Sequence, residues 1–177
     1  MIRASRKFLA LPQDERWLLV QAMVALTLVT LALRMVGPGR CYRGLGRLAP
    51  MAGDDALTGA SACRRASLMG RLVRVAANHG LVRANCLAQS MTVWWLLRWQ
   101  RIPVALRIGV RKQQGLLEAH AWAEHQSRVL NDDVDIGIRF QPFSGTREIF
   151  ERRGTEIPRV ESRDCSASMA DPSMGRY

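Results

Sequence analysis

NCLAQSMTVWWLLRWQRIPVALRIGV, residues 85–110, changes its period part-way along, and that change decides the fold. Asn85 is a good N-cap, which makes Cys86 the first residue of a long apolar helix. The helix is expected to end near 99–101, because Pro103 biases Ile102 away from the helical region. VALRIGV, residues 104–110, then reads as a strand. RKQQG follows as a turn and residues 116–124 as a second strand. Gln126-Ser127 makes a two-residue turn into a third extended stretch at 128–131.

Upstream the signals are helical. Pro12, Asp14 and Glu15 suit a first turn, since proline lacks the amide hydrogen and the acids face the positive end of the dipole. That helix is expected to run to Val36, where Gly37-Pro38-Gly39 stops it. Residues 40–60 read as a short helix plus loop, and 60–78 as a helix with arginines at helical spacing, closed by His79-Gly80. N-terminal helices, a nucleophile-bearing helix and a small antiparallel sheet make an α+β fold. Residues 1–60 are expected to pack as a helical region on a core at 61–150, with 151–177 a disordered tail.

The run 17–33, WLLVQAMVALTLVTLAL, holds no charge, yet it falls short of the ~18 to 20 apolar residues of a spanning helix. A buried or partner-facing helix is expected, with a membrane anchor as the alternative. Of 26 basic residues only Lys7 and Lys112 are lysines, so 24 are arginines, scattered through the chain and read as a solvated surface. Cys41, Cys63, Cys86 and Cys165 show no CxxC or CxxH spacing, which argues against zinc. Their count leaves a disulfide open, but without a basic secretory signal the expectation is reduced thiols in the cytoplasm. Peripheral membrane association is kept as a second location.

The chemistry gathers around Cys86 and His120. At a helix start, unpaired amides and the dipole favour a thiolate, and the Cys86 amide could serve as an oxyanion donor. His120 lies in LLEAHAWAEH, whose alternation sets Ala119, Ala121 and Ala123 on one face and His120, Trp122 and Glu124 on the other. An ideal hairpin at Gln126-Ser127 would put His120 opposite Asp133; a bulge would bring Asp132 alongside, and Asn131 could orient the ring in an asparagine variant. His79 and His125 are weaker candidates. Trp94, Trp95 and Trp99 fit a groove and a core face equally well.

NCLAQSMTVWWLLRWQRIPVALRIGV followed by AHAWAEHQSRVLNDDVD resembles the transglutaminase-like cysteine peptidases of lasso-peptide biosynthesis, the leader-peptidase half of the B proteins. There a "CL" helix start, a "GIP" bend, an "IGV" strand and "HAWVE…LND" carry a Cys-His-Asp triad. The resemblance covers residues 86–143, and implies Cys86 as nucleophile, His120 as base and Asp132 as the aspartate, with Asp133 as the alternative. Arg101 stands where "GIP" has glycine, and Gln126-Ser127 where a "DG" turn is usual. The implied activity is removal of the leader from a ribosomally made precursor peptide. Implied partners are a small separate leader-binding protein and an asparagine-synthetase-like macrolactam cyclase. Neither metal, cofactor nor nucleic acid enters that chemistry. A transglutaminase-like acyltransferase and a basic, membrane-associated adaptor without catalysis are the other readings.

Overall fold

The computed structural model describes residues 12–49, 57, 59–80, 82–113 and 116–142. The basic lead at 1–10 and the tail from 151 lie outside the described residues. Helices precede a small sheet: α1 (Gln13–Val36), α2 (Pro38–Leu48), α3 (Ala60–His79), α4 (Cys86–Trp99), β1 (Ala105–Gln113), β2 (Leu116–His125), β3 (Arg128–Val129), α5 (Ile136–Arg139) and β4 (Gln141–Pro142). The sheet is antiparallel, in the order β3-β2-β1-β4. This is the α+β arrangement expected.

α4 is the central element. Its sequence is apolar around most of its circumference, so it buries Ala88, Met91, Val93, Trp94 and Leu97 together with Ser90 and Thr92. One continuous core joins α1 (Leu19, Ala22, Leu26, Val29), α3 (Ala66, Met69, Val73, Ala76), α4 and the sheet face carrying Leu106 and Ala123. The opposite sheet face has a smaller cluster, in which Trp122 packs with Ile136 and Phe140. α1 is a core helix on one side only, since Val24, Leu28 and Met35 remain exposed.

Several local expectations change. Gly37 has φ 78, but Pro38 opens α2 in the first helical turn instead of merely ending α1. β1 continues through Gln113 because Arg111, Lys112 and Gln113 pair with Glu118, Leu117 and Leu116. An Arg111–Glu118 ion pair at 2.6 Å spans that end, so RKQ belongs to the strand instead of the turn. The third strand is only Arg128–Val129, and α5 and β4 were not anticipated. A four-residue helix and a two-residue strand are too short to leave a period in sequence.

Candidate active site

The start of α4 is built as its sequence dictates. The Asn85 side chain accepts from the Ala88 amide at 2.9 Å and the Asn85 carbonyl accepts from the Gln89 amide at 3.1 Å. The amides of Cys86 and Leu87 have no hydrogen-bond partner among the described residues. Cys86 is a free, half-buried thiol at this end.

β2 and the turn after it set the second half. Gln126 and Ser127 both adopt positive φ, 48 and 63, so His125 pairs with Arg128 and Glu124 with Val129. The Leu130 amide still donates to the Ala123 carbonyl at 3.0 Å. The return bond does not come from backbone: the Ala123 amide donates at 2.8 Å to Oδ1 of Asn131. The chain leaves the ladder there, and the next residue reaches the imidazole. His120 Nε2 lies 2.6 Å from Asp132 Oδ2. Asp132 Oδ1 accepts from the Asp133 amide at 2.8 Å, while Asp133 itself is exposed. Asp132 is thus the carboxylate brought to His120.

Cys86 forms no hydrogen bond with His120, but its helix is tied to both other segments. The Ser90 hydroxyl sits 2.7 Å from the Cys86 carbonyl and 2.9 Å from the Ala121 carbonyl, and accepts from Asn131 Nδ2 at 3.0 Å. Each contact falls on a candidate residue or its immediate neighbour. Ser90 and Asn131 are both buried. In sequence Asn131 reads only as a substitute for the aspartate, and Ser90 carries no signal beyond lying one turn after Cys86.

Packing fixes the loop from behind. A Cβ on Gly70 of α3 would stand 2.1 Å from the Leu130 carbonyl oxygen, so only glycine lets α3 approach this close. Gly109 is directly opposite His120 in the β1–β2 ladder, and the Trp122 ring occupies the space a side chain there would fill. Phe140 lies 5.2 Å from the His120 ring and carries the Arg111 guanidinium at 4.7 Å on its face. A cavity of about 420 Å³ opens beside this group, lined by His120, Asp132, Arg111, Glu118, Arg139 and Phe140 among others; Cys86 does not line it.

The remaining candidates have other places. His125 is buried, with Nδ1 2.5 Å from the Pro103 carbonyl, which ties the end of β2 to the chain entering β1. His79 closes α3 and is exposed. Trp94 is a core residue stacked on Tyr42 at 4.6 Å, whereas Trp99 is exposed. Burial pushes the Cys41 thiol above its ordinary range. Cys63 is disulfide-bonded, which corrects the expectation of reduced thiols throughout; residue spacing does not reveal what a cysteine meets in the fold. Among the described residues no group of His, Cys, Asp or Glu is placed to hold a metal.

The model of the Transglutaminase-like superfamily matches residues 20–144, well over half of the chain. The chain belongs to the transglutaminase-like superfamily. Cysteine peptidases and acyltransferases share that superfamily, and helices packed on a small curled sheet are consistent with its core. The transglutaminase-like match takes in α2 to β4 whole and α1 from residue 20. No curated protein and no solved structure matches the chain.

Proposed function

We propose that this transglutaminase-like protein is a cysteine peptidase that cleaves the leader from a lasso-peptide precursor, with Cys86 as nucleophile, His120 as base and Asp132 as its orienting carboxylate. The 2.6 Å contact between His120 Nε2 and Asp132 Oδ2 carries the reading. It occupies one ring nitrogen with a carboxylate, which favours the tautomer protonated at Nε2 and leaves the Nδ1 lone pair for a thiol proton. The resemblance of the linked motifs from Asn85 to Asp132 supports the choice of substrate class.

The reaction follows from these groups. His120 Nδ1 takes the Cys86 proton as sulfur attacks the carbonyl carbon of the last leader residue. The open amides of Cys86 and Leu87 are suited to receive the oxyanion. Collapse breaks the C–N bond, and His120 returns its proton to the departing amine, the new amino terminus of the core peptide. Water then attacks the thioester, giving a proton to His120, and the leader leaves as a carboxylate with Cys86 restored. A small leader-binding protein would present the precursor, and an asparagine-synthetase-like cyclase would consume the freed amine.

Mass spectrometry of precursor peptide incubated with the chain and a leader-binding protein tests this. Release of free leader and core is expected, and Cys86→Ala should abolish it; cleavage retained in that variant sinks the proposal. The same acyl-enzyme could pass to an amine instead of water. An added primary amine captured in preference to hydrolysis would move the assignment to acyl transfer.

A further inference from the structure

α1 has two apolar faces, and the fold uses one. Leu19, Ala22, Leu26 and Val29 are buried against the rest of the core. On the opposite side Trp17, Val20, Val24, Leu28, Leu31 and Met35 follow one another at intervals of three or four residues and are all exposed, Met35 by 83%. This unbroken stripe is about 27 Å long. A bare apolar surface of that extent on a soluble domain marks a docking face.

Charge says what it meets. No acidic residue occurs between Glu15 and Asp54, whereas Arg34, Arg40, Arg43 and Arg47 all lie in that interval. All four are exposed, at the last turn of α1 and on α2, which Gly37 alone separates from it. Among the described residues none of the four forms an ion pair. An apolar stripe that ends in unpaired guanidinium groups complements a lipid surface bearing phosphates. A second copy packed parallel on this stripe would bring the same arginines together with no acid in the interval to neutralise them. By length and composition α1 could cross a membrane, but spanning would strip its inner face from the core it shares with α3 and α4.

We propose that α1 lies flat on an anionic bilayer, its outer stripe in the headgroup–acyl boundary and Arg34, Arg40, Arg43 and Arg47 at the lipid phosphates. The proposal does not depend on the peptidase reading, since it uses none of the catalytic candidates.

Co-sedimentation of the full chain with two vesicle types tests it: phosphatidylcholine alone, and phosphatidylcholine with an equal amount of phosphatidylglycerol. Binding to the mixed vesicles is expected, weakening as salt is raised. Arg40→Gln with Arg43→Gln should lower the partition coefficient roughly 25-fold, at about fivefold per arginine. Leu28→Glu should abolish binding while leaving the thermal melt unchanged, because the side chain touches solvent and not the core. Equal sedimentation with both vesicle types, or with neither, overturns the proposal, as does binding unaffected by the arginine pair. A dimer in light scattering that Leu28→Glu converts to monomer, without vesicle binding, assigns the stripe to a second copy instead.

Discussion

Asp132 has both carboxylate oxygens engaged before any substrate arrives, one by His120 and the other by the amide of Asp133. An amide in its place would present either a competing donor or a single acceptor to Nε2. Asp132→Asn is therefore expected to lower kcat/KM for precursor cleavage by roughly 10²- to 10⁴-fold, by favouring the wrong tautomer. Asp133→Asn should cleave like the parent protein, because that position contributes its backbone amide alone; comparable losses in both variants would contradict this assignment. Extrapolating an ideal hairpin points His120 at Asp133. What the sequence could not display is that Asn131 takes over a ladder bond and so turns the chain one residue early. Ser90→Ala leaves the Asn131 donor buried and unmet, and should cost about 1–3 kcal/mol in denaturant unfolding.

At the scale of elements, the limits of α4 were legible because each has a local cause. Asn85 caps one end. At the other, the Ile102 amide bonds the Leu97 carbonyl and the Arg101 amide bonds the Arg98 carbonyl, a Schellman closure with Arg101 at φ 56. Glycine is the residue this position favours, and the resemblance had marked the place as one where glycine is usual. Arg101→Gly should raise stability by about 1 kcal/mol, and Ser127→Gly, at φ 63, by a similar ~1 kcal/mol, each read as a higher denaturation midpoint at constant slope. Contacts between distant elements left no such trace. Gly70 is one glycine in an arginine-rich helix until Leu130 is seen against it. Gly70→Ala must displace the Leu130 backbone, and should cost about 1–3 kcal/mol while also depressing cleavage by moving the Asp132 loop.

For the whole molecule, the uncharged run 17–33 announced a helix but could not say which side would be covered, since apolar residues occur all round it. Folding settles this by burying one face beside α3 and α4. α1 is consequently part of the core and not an appendage to it. A chain beginning at residue 61 should lack a cooperative thermal transition by circular dichroism; a sharp melt from that fragment would show that the remaining elements suffice.

The Ser90–Asn131 link has a consequence for the life of the chain on the ribosome. Synthesis runs from the amino terminus, so the thiol of Cys86 emerges well before its prospective partners. Asn131 and Asp132 sit almost at the end of the described fold, and the buried bonds that bring their loop to α4 form only once that loop has docked. A nascent chain therefore carries the sulfur without the means to use it. Competence to cut would arrive late and all at once, when the Asn131–Asp132 loop docks on α4.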